Sequence, residues 1–430
     1  MGSKGKKRTL EVKGNSGMGL HLRGYVITAL IILCLAVVQT SWAQSKTLNL
    51  SMLAGFKEDV LRANLPDFEK RTGIKVVVDS SPLVELYKKQ LLSLSTGARH
   101  DVLFMDEPWV PALAEFLLPL DERVKGIDMA DFIPTTVAAG SYNGKQYTLP
   151  VDPNVQILIY RKDLLEQKGL KPPTTWEELL KIAKIFHDPA RQQYGFAFAA
   201  GADPQAPLYL MLLLWSYGAE LVDTNGRSGV NTPAGRKGAE MFLELLKVAP
   251  PNVRNYTFAD VNKAVQLGQA VMAVQWASGA KPLEDPNRSS VAGKLGYAVP
   301  PKGTRHAPMR GVWTIAIAKN TPNQEAAWTF ANWLSSKEFG LASTKYPSAI
   351  SAIHSARVSV LKDPSTKNAL PYVDALLASL QVAKGRPRLK EYPDIQEHMR
   401  ITTSRLTAGE LSLDAALKEM DAGINRILGK

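Results

Sequence analysis

Two hydrophobic periods alternate along this chain from Thr47 onward, and that alternation restricts the fold more than any other feature. Leu48 to Leu53, Lys75 to Val78 and Val102 to Met105 read as strands, while Lys57 to about Arg71 and Leu83 to Leu94 between them carry helical spacing. Strand and helix in turn predict an α/β lobe with a largely parallel sheet. The theme resumes with YGFAF at 194–198, an apolar helix from Leu208 to Tyr217 and a turn over Asp223 to Gly226. Thr232-Pro233 then opens a helix with Gly238, Met241, Phe242 and Leu245 on one face. Strand-like runs follow at 270–275, 295–299 and 314–318. Thr321-Pro322-Asn323-Gln324 is expected to cap a helix with Ala327, Phe330, Ala331 and Leu334 inward, and a last helix carries Leu413, Ala416, Leu417, Met420 and Ile427.

Between the two sets of elements lies residues 142–183, whose order of signals reads as one lobe ending and another beginning. Asn143-Gly144 is a hairpin-turn pair, and Lys145 to Leu149 form a short strand that Pro150 is expected to stop. Gln156 to Tyr160 is an apolar, β-branched run suited to a buried sheet. In VDPNV between them, Pro153 holds Asp152 extended and leaves Asp152 and Asn154 between strands, where they can line a cleft. After Pro172-Pro173, Thr175 and Glu178 form a capping box for a helix with Leu179, Ile182, Ala183 and Phe186 on its apolar face.

A chain of 430 residues has room for two or three domains, and 45% hydrophobic with 21% charged residues suits a globular protein. The basic Lys4 to Arg8 and Arg23 precede an apolar run, Tyr25 to Val38, that ends in Ser41-Trp42-Ala43. That is the pattern of a secretory signal, residues 1–43, cleaved after Ala43. The run has 14 residues, short of the roughly 20 a membrane-spanning helix needs. Met18 offers a more compact start for the leader. The sole cysteine, Cys34, falls inside the run, and Leu33 before it is larger than a lipoprotein signal favours. Cleavage leaves no thiol, which excludes disulfides, zinc–thiolate sites and a cysteine nucleophile and suits the bacterial periplasm. The formal charge of +12 also shrinks, because residues 1–43 hold six Lys or Arg and one Glu, leaving 46 against 39, or +7. No block of basic residues survives, so nucleic acid is not an expected partner.

Several stretches together resemble the extracellular solute-binding proteins of ABC importers, the family of maltose-binding protein and many other sugar-binding proteins. They are DVLFMDEPWVPALAEFLLPL (101–120), YNGKQYTLPVDPNVQILIYRKDLL (142–165), TTWEELLKIA (174–183), WSYGAELVDTNG (215–226), GQAVMAVQW (268–276), GVWTIAIAKNTPNQEAAWTFANWLSS (311–336) and GELSLDAALKEMDAGINRIL (409–428). The resemblance implies a two-lobed α/β periplasmic-binding-protein fold of type II, with a ligand cleft between lobes joined by hinge crossings. Residues 44–151 plus 313–348 would form the first lobe, and 152–312 plus 349–430 the second. Crossings would fall near Val151 to Asn154, Gly311 to Trp313 and Ser348 to Ser351. It further implies a periplasmic monomer that uses no cofactor. Its partners would be a small carbohydrate and the membrane subunits of an ABC permease with its cytoplasmic ATPase. A solute touching both lobes favours the closed form by its differential affinity.

Sugars are held by aromatic rings against their C–H faces and by planar polar groups that fork onto neighbouring hydroxyls. Trp176, Trp328 and Trp333 lie on helices with apolar neighbours and read as core, and Trp215 reads as packing. Trp109, Trp276 and Trp313 follow strand ends, where ligands of α/β proteins sit, and are candidate solute contacts. Asp106 and Glu107 follow a strand and either face the cleft or cap the segment that begins at Trp109. Asn154 matches the hinge position at which maltose-binding protein carries a ligand-contacting carboxylate; here it is an amide. Asp152 beside it is a further candidate. Arg388 resembles an arginine that hydrogen-bonds sugar in some members, and Gly55 lets backbone amides approach a ligand. Arg310, beside the second crossing, raises an anionic solute as an alternative, alongside polyamines and glycerol-phosphate derivatives.

The main rival is an exported hydrolase. The chain has no G-x-S-x-G elbow, no H-E-x-x-H and no P-loop, and His100, His187, His306, His354 and His398 lack metal-ligand spacing. Adjacent carboxylates such as Asp106-Glu107 do not supply the two opposed groups, roughly 5 to 9 Å apart, of a glycosidase. A binding protein without catalytic or metal residues is the expectation.

Overall fold

The computed structural model describes residues 47–430 apart from 98, 201–204 and 347–352, together with 1, 2, 5, 9 and 10. The expected signal run, its cleavage site and the crossing expected at Ser348 to Ser351 lie outside the described residues. The strands are β1 (Thr47–Leu53), β2 (Lys75–Ser81), β3 (Val102–Asp106), β4 (Ser141–Tyr142), β5 (Lys145–Gln146), β6 (Thr148–Arg161), β7 (Tyr194–Ala197), β8 (Glu220–Val222), β9 (Ser228–Gly229), β10 (Ala270–Trp276), β11 (Leu295–Ala298) and β12 (Arg310–Ile317). The main sheet runs β2-β1-β3-β12-β6-β10-β7, with β11 also paired to β6. β1 is parallel to β2 and β3, as helical crossovers require, and β12 enters antiparallel between β3 and β6.

Two hydrophobic cores share this sheet. One gathers residues from Leu48 to Val151 with Trp313 to Ile353; the other gathers most residues from Val155 to Met309 with Leu361 to Ile424. β6 connects them. Its first half pairs with β12 over Thr148 to Val155, and its second half pairs with β10 and β11 from Gln156 onward. With 14 residues it is about 45 Å long at about 3.3 Å per residue, enough to reach into both cores.

Here the structure corrects a sequence expectation. Pro150 does not end a strand, and VDPNV is not a loop between two strands: both prolines lie within β6, with Pro150 opposite Thr314 and Pro153 opposite Val312. Over that half β12 is the only described strand paired with β6, and an edge position tolerates a missing N–H. The register shifts between Trp313 and Thr314, which leaves Val151 without an opposite number. Val151 packs in the first core while Asp152 is sealed at the crossing.

The local signals elsewhere are realised with one exception. Asn143 and Gly144 both have positive φ, 48° and 75°, the backbone of the tight hairpin joining β4 to β5. Thr175 and Glu178 make both bonds of the capping box of helix Trp176–Phe186, and Thr232 caps helix Pro233–Leu246. The exception is Thr321, which does not cap helix Gln324–Leu334. Asn323 takes the N-cap position without a side-chain bond, while the Thr321 hydroxyl bonds Asp101 and accepts from the Asn323 N–H at 3.0 Å.

Candidate solute-binding cleft

A cleft of about 920 Å³ is lined by residues of both cores together with Asn154 of β6 and Gly311 of β12. Gly311 of β12 faces Asn154 of β6 in register, and both line the cleft. The residue at 311 must be small because the indole of Trp276 lies against it. A Cβ there would stand 2.8 Å from Cζ3 and 2.9 Å from Cη2 of the ring. Trp276 ends β10, and its Nε1–H donates to Gln205 on the cleft wall. Asn154 is fixed by the turn after β10: its Nδ2 donates to Ser278 Oγ at 3.0 Å, and its Oδ1 accepts from the Ser278 N–H at 3.1 Å.

On the first lobe's wall three aromatic rings follow one another. Trp313 stacks on Phe104 at 5.2 Å, meets Trp109 edge to face at 6.1 Å and 84°, and Trp109 in turn lies 5.5 Å from Tyr87. Tyr87 belongs to helix Leu83–Ser95, and Leu83, Val84 and Leu91 of that helix line the cleft with it. The opposing wall includes Leu208, Phe258 and the first turns of helix Tyr392–Ala408.

Asp106, at the end of β3, forms a two-pronged ion pair with Arg386, with Nη1 donating to Oδ2 at 2.6 Å. Both residues are buried yet border the cleft. Burial works against the Arg386 cation, but Asp106, Tyr392 and Glu107 together outweigh it and raise the guanidinium above its ordinary range. Arg386 Nε is buried and, among the described residues, has no hydrogen-bond partner.

Of the nine candidate residues, Asp106, Trp109, Asn154, Trp276 and Trp313 line the cleft. Gly55 has φ 101° and no atom within 4 Å of a Cβ placed on it, and its neighbours Ala54 and Phe56 are lining residues. The other three lie behind the surface. Asp152 is fully buried, bonded to Lys57 Nζ and to the backbone N–H of His354 at 3.1 Å. Burial alone would raise its carboxyl, but the Lys57 ammonium and the His354 bonds reverse the balance and hold it below the usual carboxylate range. Glu107 accepts from Arg310 Nε–H at 3.1 Å. Its burial raises the carboxyl, and the nearby Arg310 and Arg386 offset only part of that. Arg388 donates to the carbonyls of Glu107, Ala139 and Ser141, pinning its segment to the first lobe. Arg310 is therefore committed to Glu107.

Sequence reasoning missed Arg386, Lys57, Tyr87 and Gln205. Arg386 sits in the same GRPRL run as Arg388, and spacing alone does not distinguish them. Lys57 follows Gly55 in the first turn of helix Phe56–Thr72, where a cation opposes the helix dipole, an anomaly that flags a buried acidic partner. Of the tryptophans read as core or packing, Trp176 and Trp215 are buried, while Trp328 and Trp333 are half-buried against the first core.

Residues 51–340 match the sequence pattern of the bacterial extracellular solute-binding proteins. The chain belongs to that family. Members of this solute-binding family bind rather than transform their ligands, so the chain is not an enzyme. A maltose-bound MalE3 of T. maritima superimposes with a TM-score of 0.81 at 26% identity, covering 88% of this chain and 99% of that one. A solute-binding protein of Agrobacterium radiobacter in complex with ribitol also gives 0.81, at 28% identity, covering 89% and 98%. A probable amino-acid ABC transporter periplasmic-binding protein of Sinorhizobium fredii is 28% identical over 348 residues, 77% of this chain and 76% of that protein. The two-lobed α/β fold of this solute-binding protein is thus shared along nearly its whole described length.

Proposed function

We propose that this protein is the periplasmic component of an ABC importer and captures a neutral polyhydroxylated solute, a carbohydrate or sugar alcohol, between its lobes. Closure around the solute presents it to a membrane permease. The observation that carries this reading is the presence in one cleft of three indoles, Trp109, Trp276 and Trp313, beside the planar Asp106–Arg386 pair. Rings suit the C–H faces of a sugar, and a carboxylate or guanidinium can fork onto adjacent hydroxyls. The charges support neutrality of the solute. The lining cations Lys57, Lys88, Arg386 and Arg400 face Asp106, Asp394 and Glu397, and Lys57 is already neutralised by Asp152. The maltose and ribitol complexes of similar proteins point to the same class of ligand.

The test is a thermal-shift and calorimetric screen of the mature protein against sugars, sugar alcohols, amino acids, polyamines and glycerol phosphates. Stabilisation by a carbohydrate or sugar alcohol, recovered unchanged afterwards, is expected; a ligand at 100 times its Kd adds about 2.7 kcal/mol. Stabilisation by amino acids or by charged solutes alone would overturn the reading.

A further inference from the structure

The strand that delivers Trp276 to the cleft carries an anomaly one residue earlier. β10 is buried along its whole length and otherwise apolar, yet Gln275 lies in it with no solvent exposure. A buried amide is costly unless its donors and acceptors are met. Here all four positions are used. Gln275 Oε1 accepts from the Trp276 N–H at 2.9 Å and from the Tyr209 hydroxyl at 3.2 Å, while Nε2 donates to the Phe258 carbonyl at 3.0 Å and to Asn262 Oδ1 at 3.2 Å.

These bonds lead to the cleft by two routes. Phe258 and Asn262 stand four residues apart on helix Phe258–Gln266, so the Gln275 amide bridges one face of that helix. Phe258 and Trp276 both line the cleft, and Gln275 bonds the backbone of each. The second route is longer. Asn262 Nδ2 donates to the Gly279 carbonyl at 2.9 Å, and Gly279 follows Ser278, whose N–H and hydroxyl hold Asn154. Gly279 is packed into this unit too closely to carry a side chain, since a Cβ on it would stand 2.7 Å from Phe258 Cζ and 3.0 Å from Asn262 Nδ2.

We infer that Gln275 is a positioning residue for solute capture: its amide fixes Trp276 and Phe258 directly, and Asn154 through Asn262 and the turn at 277–279. The inference rests on the reading of this cleft as the solute site, and its test includes a readout that needs no solute. Fluorine NMR of the mature protein labelled with fluorotryptophan gives a signal for Trp276, assigned by its loss in Trp276→Phe. Gln275→Glu keeps the shape of the side chain, but a carboxylate only accepts, so both donations are lost until a proton restores one. Buried beside the Phe258 and Asn262 oxygens, that carboxyl should take up its proton above the ordinary carboxylate range. The Trp276 signal should therefore be displaced at about pH 8 and return toward its unmodified position by about pH 5. Calorimetric affinity for whichever of maltose, ribitol and D-mannitol binds should fall about tenfold at the higher pH, relative to the unmodified protein, and recover at the lower. Plain loss of packing does not reverse with pH. Asn262→Asp keeps the acceptor used by Gln275 and removes the donor to Gly279; it should move the Asn154 side-chain amide resonances, assigned by their loss in Asn154→Asp, and leave the Trp276 signal in place. This second variant carries the test if Gln275→Glu does not fold. A Trp276 signal unchanged by Gln275→Glu, a displacement that does not reverse, or Asn154 resonances indifferent to Asn262→Asp would overturn the inference. Failure of every carbohydrate and sugar alcohol to bind would overturn the carbohydrate reading alone, since the spectra decide the role of Gln275.

Discussion

The indole of Trp276 rests on Gly311, closer than any side chain at 311 would allow: a Cβ there would come within 2.8 Å of the ring. Trp276 ends β10, which packs in the second core, and Gly311 lies in β12, which pairs with β3 and β6. A ring seated on Gly311 turns its remaining surface to the cleft that both residues line.

Gly311→Ala should displace that ring. The neighbour is a rigid indole held by Gln205, so the added methyl cannot be absorbed by a flexible chain end. Overpacking of this kind costs about 1–3 kcal/mol. Solute affinity should fall by about tenfold, equivalent to about 1.4 kcal/mol, with a change in tryptophan emission. Calorimetry and fluorescence on the purified variant check both, and unchanged affinity would remove Trp276 from the binding surface.

Arg386→Lys addresses the ion pair. Lysine keeps the charge opposite Asp106 but cannot make the two parallel bonds of the guanidinium. The variant should fold, by circular dichroism, and bind the solute about tenfold more weakly in calorimetry. Arg388→Lys makes the informative partner experiment, because Arg388 spends its donors on the carbonyls of Glu107, Ala139 and Ser141. Its loss should register in thermal stability before affinity.

That contrast marks where the sequence was readable. Periodic elements such as β1, β3 and helix Trp176–Phe186 were legible because apolar spacing and caps are local properties. The indoles at 109 and 276 were legible as cleft residues because strand ends in α/β sheets gather at one edge, whereas Trp313, read as following a strand end, lies within β12. The role of β6 was hidden, since Pro150 and Pro153 break a strand only when both of its edges are paired, and pairing is a long-range fact. Choosing between Arg386 and Arg388 required knowing what each meets some 280 positions away, the Asp106 carboxylate bordering the cleft for one and backbone carbonyls for the other. Tyr87 and Asp394 belong to helices whose sequences carry no sign that both line one cleft.

Lys57→Met should be the most destabilising of these changes. It leaves the Asp152 carboxylate buried without its cation, and breaking such a pair costs about 3–5 kcal/mol. The pH dependence follows from the direction of the shift. In the intact protein Asp152 titrates below its unfolded value of about 3.9, so its contribution is complete above that pH and is lost as the pH falls through the lower folded value. Without Lys57 the carboxyl should titrate higher, and the acid limb of the stability curve should move to higher pH. Denaturant midpoints measured between pH 3 and 7 check this; identical acid limbs in both proteins would remove the pair from the account.

Thr175→Ala separates stability from binding. The threonine hydroxyl accepts from the Glu178 N–H at 3.2 Å and closes the capping box of helix Trp176–Phe186, a helix that packs in the second core and contributes no residue to the cleft lining. Loss of the cap should cost about 1 kcal/mol. Because the helix framework behind the cleft is held by Trp176, which is buried and donates from Nε1 to Ser216 at 2.9 Å, the local loosening should stop at the first turn. Melting temperature should therefore fall while solute affinity stays unchanged. A parallel fall in affinity would mean that this helix end moves with the cleft wall, and the division drawn here between framework and binding surface would have to be redrawn.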